Sequence, residues 1–238
     1  MKKIVFYHIA SDQYKKYSDK MIHSFRIFYP KMPFVVFGQR DIEEVNKKYN
    51  FPPNTWCYAT FGRKLAEQYK IVIQIDADSV VCDHMDELTK GDYDIAAPKN
   101  GSPGGMQTSM EGIGMSRYLN AGLHASTSKA FWEEWETRTL KDHKKYAYGE
   151  QDILNEIFWS GRYKTKLLDG LEGDPYYGSS SCGHYKNIEL NNLRLYLYGR
   201  RIKVLHTAGQ SYRGKLSFFD APLEVRDFIS QLTGKTNF

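Results

Sequence analysis

The sequence lacks the features that mark membrane-spanning and disulfide-stabilised proteins. Its three cysteines, Cys57, Cys82 and Cys182, are an odd number without the close spacing of metal ligands. Free thiols in a reducing compartment are the simplest interpretation. No apolar run approaches the ~20 residues that span a bilayer, and the apolar stretch at 4–6 is too short for a signal peptide. We therefore expect a soluble, cytoplasmic protein without a transmembrane segment.

The chain also has little excess charge of either sign. Its net charge is +5, and its basic pairs are scattered along the sequence at 15–16, 47–48, 144–145 and 200–201. A nucleic-acid-binding protein would concentrate such residues in a stripe, so nucleic acid is not an expected partner. A mild positive charge suits a pocket for a polyanionic small molecule, such as a nucleoside diphosphate. Hydrophobic residues make up 41% of the chain, enough for a packed core.

Strand-like and helix-like patterns alternate along the first half, which predicts βαβ units and a largely parallel sheet. Strands are predicted at Ile4–Ile9, Phe34–Phe37, Ile71–Ile75, Asp94–Pro98, Leu119–Ala125, Tyr163–Leu168 and Arg201–Leu205. Helices are predicted at Tyr14–Phe28, Ile42–Tyr49, Phe61–Tyr69, from Ser128 through Trp135, and at Gln151–Trp159. The segments 99–116 and 171–185 are interpreted as lids or acceptor-side loops. No composition shift or internal repeat divides the chain.

The tripeptide Asp76-Ala77-Asp78 is the most informative motif. It directly follows the apolar strand Ile71–Ile75, and period-two alternation sends both carboxylates to the same side. Ligands of such sheets bind beyond the carboxyl ends of strands. Two carboxylates at a strand end are the ligands that Mg²⁺ or Mn²⁺ prefers when the ion also binds substrate phosphates.

Two enzyme classes place D-x-D after a buried strand: nucleotide-sugar glycosyltransferases and haloacid-dehalogenase-like phosphotransferases. The phosphotransferase pattern D-x-D-x-[TV] is matched at 76–80. That class carries its nucleophile on the first strand, whereas two predicted strands precede Asp76. Its later acidic pair is also missing, since 173–178 supplies only Asp174. These differences disfavour the phosphotransferase, which stays an alternative together with a non-catalytic carbohydrate-binding module and two acids that merely cap the strand.

Four blocks, in family order, resemble the GT-A glycosyltransferases, most closely the group that contains glycogenin and the lipooligosaccharide galactosyltransferases. The blocks are 63–88, with Arg63 and the D-x-D; Tyr118–Leu123, similar to Y-x-N-[AS]-G-[VL]; Gly149–Asn155, similar to D-Q-D-x-L-N; and Val204–Gly209, similar to a strand followed by H-x-x-G. The resemblance implies an α/β, Rossmann-like GT-A nucleotide-diphospho-sugar transferase fold with a mixed, mostly parallel sheet flanked by helices. It implies a single domain over 1–238, with a nucleotide-binding half at 1–98 and an acceptor- and sugar-binding half at 99–238.

The resemblance also implies a reaction and a set of site residues. The reaction is transfer of a hexose from a nucleoside-diphosphate sugar, most simply a UDP-sugar, to an acceptor hydroxyl on a glycan or glycoconjugate. Asp76, Asp78 and His206 would bind Mn²⁺ or Mg²⁺, and the imidazole favours manganese. The nucleotide sugar would be bound by His8, Ala10, Asp12, Arg63, Asp76, Ala77, Asp78, Asn120, Gly122, Gly209 and Lys215. The basic residue after Gly209 is shifted from the family register, so Arg213 is an alternative to Lys215.

Glu150, Gln151 and Asp152 occupy the block that lies nearest the anomeric carbon in the resembled family. Glu150 departs from that family, where aspartate is usual. In a retaining enzyme Gln151 would lie beneath the sugar and Glu150 would bind its hydroxyls. In an inverting enzyme Asp152 or Glu150 would act as the general base. We favour retention on the resemblance, and acids of a helix N-terminus placed there for its dipole are the alternative.

Overall fold

A computed structural model describes residues 3–51, 57–99, 113, 117–168, 174–178, 185–206 and 221–234. The helices are α1 Lys15–Phe28, α2 Gln39–Tyr49, α3 Tyr58–Ala66, α4 Asp86–Thr89, α5 Lys129–Asp142, α6 Glu150–Trp159 and α7 Leu223–Leu232. The strands are β1 Ile4–Ile9, β2 Phe34–Phe37, β3 Ile71–Ile75, β4 Ser79–Val81, β5 Ile95–Pro98, β6 Leu123–Ser126, β7 Thr165–Leu168, β8 Tyr176–Gly178, β9 Ile188–Asn191, β10 Arg194–Leu197 and β11 Arg200–His206. Within these ranges no helix is both long and apolar enough to cross a membrane.

The main sheet has the strand order β2-β1-β3-β6-β5-β7 in the described part of the chain. β1 runs parallel to β2 and β3, and β5 runs parallel to β7, whereas β6 is antiparallel to both of its neighbours. The carboxyl ends of β1 and β3 therefore meet at one edge, where ligands of such sheets collect. The prediction of a mixed, mostly parallel sheet flanked by helices is confirmed.

A second sheet brings a distant segment to that same edge. Its order is β4-β11-β10-β9, with β8 parallel to β11. β4 follows directly after the D-x-D and pairs antiparallel with β11, so that Ser79 lies opposite His206. This register places His206, the last residue of β11, beside Ser79, which directly follows Asp78.

Packing on the two faces of the main sheet follows the alternation of its strands. On β1, Val5, Tyr7 and Ile9 belong to one buried cluster and Phe6 belongs to the other. α3, α5 and α6 contribute to the first cluster and α1 to the second. The predicted buried face of α5, at 131, 132 and 135, is confirmed.

Close contact between α3 and α5 depends on one glycine. A Cβ added at Gly62 would lie 2.1 Å from Trp132 Cζ3, far inside van der Waals contact. Gly62 thus lets the Trp132 indole pack directly against the α3 backbone.

Several element boundaries differ from the prediction. α3 begins at Tyr58 instead of Phe61, and β6 begins at Leu123 because 120–122 turns away after an isolated bridge between Leu119 and Lys99. The segment 171–185, interpreted as a loop, contains β8. The residues 100–112 and 114–116 of the other predicted loop lie outside the described residues. β4, β9, β10 and α7 were not predicted.

Tertiary pairing and weak turn signals explain these differences. The two hairpin turns around β10 place Leu193 and Tyr198 at φ 58° and 51°, where glycine or asparagine is the usual signal. α7 did carry a readable signal, since its buried residues Val225, Ile229 and Leu232 recur at helical spacing.

The predicted halves share one sheet. β6 and β7, from 99–238, pair with β3 and β5, from 1–98. The single-domain assignment remains a prediction. Cys57 and Cys82 are buried free thiols, as expected, and Cys182 lies outside the described residues.

Candidate metal and nucleotide site

Asp76, Asp78 and His206 come together at the edge where β3 ends. Each contributes one atom to a group whose members all lie within 4.8 Å of one another. His206 Nε2 lies 2.9 Å from Asp78 Oδ1 and 3.3 Å from Asp76 Oδ2. Atoms that share one small divalent cation lie ~3–4 Å apart, so small side-chain adjustments would complete such a site.

The electrostatics of this group favour a positive charge at its centre. Burial on its own lowers the pKa of His206, but Asp78 and Asp76 outweigh burial and raise that pKa to about 10. Two carboxylates and one imidazole are a donor set that suits Mn²⁺ and related divalent metals. The donor chemistry therefore fits the cation that the sequence implied.

Because Gly122 has no side chain, it leaves space for the side chains of Asp76 and His206. A Cβ added there would lie 2.5 Å from His206 Cε1, 2.6 Å from Asp76 Oδ2 and 2.7 Å from Asn120 Oδ1. The position is fixed by a backbone hydrogen bond of 2.7 Å from the Asp76 N–H to the Gly122 carbonyl. Asn120 Oδ1 in turn accepts a 2.7 Å hydrogen bond from the Gly122 N–H. Asn120 and Gly122 therefore border the acidic group, and their contact with the donor stays a prediction.

The first turn of α6 lies beside the same loop. Gln151 Oε1 accepts from the Ala121 N–H at 2.9 Å, and Gln151 Nε2 donates to the Tyr118 hydroxyl at 3.1 Å. Asp152 is fully buried and accepts from the Tyr118 hydroxyl at 2.5 Å and from the Tyr148 N–H at 3.0 Å. Gln151 is partly exposed, whereas the hydrogen bonds of Asp152 link Tyr118 and Tyr148 to α6.

Glu150 points to the start of α3. Its carboxylate accepts from the backbone N–H groups of Tyr58 at 3.1 Å and Ala59 at 3.3 Å. Burial raises the pKa of Glu150 to about 8, and the charge of Asp76 adds to the increase, whereas the two amide hydrogen bonds oppose it. Its observed contacts are thus with the protein backbone.

Three predicted nucleotide-binding residues lie around the end of β1, and their environments differ. His8 is fully buried, lies 2.8 Å from Ser18 Oγ, and has its pKa lowered to about 4 by burial. It is a neutral core side chain that faces α1. Ala10 is buried in a small cluster that includes Ala77, and Asp12 is exposed at the start of a short 3₁₀ helix, Asp12–Tyr14.

Two tyrosines near Ala77 were not singled out as site residues. Tyr14 and Tyr17 form a small buried cluster with Ala10 and Ala77, and their ring centroids lie 5.9 Å apart. The sequence assigned both to the core-facing side of α1. Their proximity to the D-x-D depends on where β1 and β3 end in space, which spacing alone does not reveal.

The described contacts of Arg63 lie outside the acidic group. Arg63 lies 3.3 Å from Glu136 in an ion pair and lines a cleft of about 560 Å³ among α2, α3 and α5. The structure therefore gives the assignment of Arg63 to the diphosphate no support. Gly209, Lys215 and its alternative Arg213 lie outside the described residues.

No protein-family model and no curated protein matches the sequence. Solved glycosyltransferases do match the structure. LgtC, a galactosyltransferase solved with donor and acceptor sugar analogs, has a TM-score of 0.55 and 16% identity over 98% of this chain and 97% of LgtC. The fold is that of a GT-A glycosyltransferase. The bifunctional glycosyltransferase WbbM shares it, with a TM-score of 0.52 and 14% identity over 98% of this chain and 52% of WbbM.

The chain is shorter than some of these proteins. It spans 45% of the length of the glycosyltransferase GlyE of Streptococcus pneumoniae TIGR4, with a TM-score of 0.47 and 15% identity over 71% of this chain. It thus spans about half of GlyE and WbbM but nearly all of LgtC. At these identities the likeness concerns the GT-A fold and leaves the reaction to the site residues.

Proposed function

We propose that this protein is a metal-dependent glycosyltransferase that moves a hexose from a nucleoside-diphosphate sugar to an acceptor hydroxyl on a glycan or glycoconjugate. The observation that carries the proposal is the convergence of Asp76, Asp78 and His206 at the edge of β3 in a GT-A fold. An acidic pair completed by an imidazole from a strand that begins more than a hundred residues later is a costly arrangement to bury without a ligand.

The proposed cation is Mn²⁺, with Mg²⁺ as the alternative. Asp76 Oδ2, Asp78 Oδ1 and His206 Nε2 would hold it, and the space beside Gly122 supports this assignment. When bound, the ion supplies electrostatic stabilisation of the departing nucleoside diphosphate. The diphosphate would then lie next to Ala77, at the carboxyl end of β3.

We propose a UDP-sugar as the donor. Ala10 and Asp12 would contact the base and ribose, and Tyr14 and Tyr17 would add an aromatic wall near Ala77. Asn120 and Gly122 would contact the sugar, and Gly209 with Lys215 or Arg213 would contact the diphosphate. Of the residues implied by the resemblance, His8 and Arg63 have the least support, because their observed partners are Ser18 and Glu136.

The residues in the first turn of α6, beside the proposed sugar position, support a retaining reaction. Gln151 is partly exposed, whereas Asp152 is buried with both oxygens accepting hydrogen bonds. Glu150 accepts two backbone hydrogen bonds from α3. A general base must reach the acceptor hydroxyl, and both carboxylates are engaged by hydrogen bonds within the protein. Gln151 would instead lie beneath the sugar, with its amide held by Ala121 and Tyr118.

The proposal is tested by nucleotide-sugar binding in the presence and absence of manganese. UDP-, GDP- and TDP-sugars should be compared by thermal unfolding with Mn²⁺, with Mg²⁺ and with a chelator. A donor at 100 times its Kd stabilises the folded state by ~2.7 kcal/mol, which for a chain of this size raises Tm by roughly 5–10 °C. We expect this shift with a UDP-sugar only when the cation is present.

Asp78→Ala is the decisive variant, because it should abolish the manganese-dependent shift while the fold is retained. Equal shifts for the variant and the wild type would contradict the proposal. Two alternatives give different results. A phosphotransferase would release phosphate from a simple phosphoester without a nucleotide, and a carbohydrate-binding module would bind glycan without metal and tolerate the loss of both aspartates.

A further inference from the structure

Asp76 divides its two carboxylate oxygens between different partners. Oδ1 accepts hydrogen bonds from the Tyr58 hydroxyl and from Gln74 Nε2, both at 2.8 Å. Oδ2 lies 3.3 Å from His206 Nε2, on the side of the proposed cation. The terminal torsion of a carboxylate is soft, so two donors on one oxygen decide which oxygen remains for a cation.

Tyr58 is itself held at several points. Its backbone N–H donates to Glu150 Oε1 at 3.1 Å, and its carbonyl accepts from the Tyr7 hydroxyl at 2.9 Å. Its ring meets His124 edge to face, with centroids 5.9 Å apart. The hydroxyl that reaches Asp76 therefore belongs to a residue fixed by both backbone and ring contacts.

Glu150 caps the N-terminus of α3, which has no cap from its own N-cap residue. The residue at the N-cap position, Cys57, makes no side-chain cap hydrogen bond. Glu150 lies 92 residues further along the chain and accepts from the first two N–H groups of the helix, at Tyr58 and Ala59. Carboxyl oxygens there satisfy donors that the helix cannot pair. Glu150 thereby fixes the start of α3 relative to α6.

We infer that Tyr58 and Glu150 are positioning residues that hold Asp76 in its cation-binding orientation, with Glu150 acting through Tyr58. The inference rests on the proposed function and assigns Glu150 a role different from binding sugar hydroxyls. It links the first turn of α6, beside the proposed sugar position, to the metal ligand Asp76 through the start of α3. Side chains that orient metal ligands typically change metal affinity 10–100-fold when altered.

The first test measures binding of Mn²⁺ alone by calorimetry. Tyr58→Phe keeps the ring and removes only the hydroxyl, and we expect Mn²⁺ to bind ~10-fold more weakly. Tyr93→Phe is the matched control, because Tyr93 also donates from a buried hydroxyl, to the Leu88 carbonyl, away from Asp76. Both variants should lose some thermal stability, but Tyr93→Phe should bind Mn²⁺ as the wild type does.

The second test asks whether Glu150 acts through Tyr58. Glu150→Gln preserves size but cannot accept from both amides, so we expect it too to weaken Mn²⁺ binding. The double variant should bind no more weakly than Tyr58→Phe alone, whereas additive losses would show that Glu150 acts by another route. Wild-type affinity in Tyr58→Phe would overturn this inference and leave the proposed function standing. Absence of Mn²⁺ binding by the wild type would overturn both.

Discussion

Gly122→Ala is the sharpest perturbation of the acidic group, because it adds a single methyl at its centre. The new Cβ would lie 2.5 Å from His206 Cε1, 2.6 Å from Asp76 Oδ2 and 2.7 Å from Asn120 Oδ1, against 3.4–4 Å for ordinary contact. Gly122 is not among the glycines with positive φ. The alanine therefore introduces no backbone strain, and its effect falls on the neighbouring side chains.

The size of the effect follows from these distances. Each of the three neighbours must retreat by roughly 0.7–0.9 Å, whereas metal–ligand distances tolerate deviations of only about 0.2 Å. Two of the three displaced residues are proposed ligands. Because altering residues that merely orient ligands costs 10–100-fold in affinity, we expect Mn²⁺ to bind at least ~100-fold more weakly to Gly122→Ala, or ~2.7 kcal/mol.

Calorimetric titration with Mn²⁺ measures this loss, and thermal unfolding without metal checks that the variant is folded. Gly38→Ala is the matched control: Gly38 precedes α2, has a φ of −90°, and an added Cβ there would meet nothing within 4 Å. The control should bind Mn²⁺ with wild-type affinity. Wild-type affinity in Gly122→Ala would refute the reasoning, since it would show that Asp76 and His206 do not converge beside this glycine.

Two further predictions concern stability. Gly62→Ala should destabilise the fold by ~1–3 kcal/mol, because its methyl would overlap the Trp132 ring at 2.1 Å; urea unfolding measures this, and a loss no larger than that of Gly38→Ala would contradict it. Glu150 has a folded-state pKa of about 8 against an ordinary 4.5, so the stability it contributes is present below pH 4.5 and is lost as pH rises to 8. The unfolding free energy of the wild type should therefore fall relative to Glu150→Gln between pH 5 and pH 8, and a constant difference would argue against the raised pKa.

The sequence predicted the parts of the site that depend on local pattern. Asp76 and Asp78 follow an apolar strand, and His206 ends another, so each ligand could be assigned to a strand end. Spacing did not show that β4 and β11 pair in a register that sets Ser79 opposite His206. The resemblance supplied that proximity, and the second sheet supplies its physical cause.

What the sequence could not show depends on contacts between distant segments. The start of α3 was predicted three residues late, because the acid that caps it belongs to α6 and no capping signal precedes Tyr58. Arg63 was predicted to bind the nucleotide sugar, and its position on α3 directs it to Glu136 on α5, an ion pair that the sequence pattern did not indicate. In both cases local propensity identified the helix, whereas the contacts of its side chains and its first N–H groups depend on tertiary packing.

The charges around the acidic group support the proposed role of a divalent cation. The recorded contacts of Asp76 are with Tyr58, Gln74, Gly122 and His206. Apart from His206, whose charge is committed to the two carboxylates, none of these partners is cationic. A diphosphate brought beside Asp76 and Asp78 would meet like charge at two largely buried carboxylates, where repulsion is weakly screened. Without a bridging cation these two acids would repel the donor, which supports the proposal that they act as metal ligands.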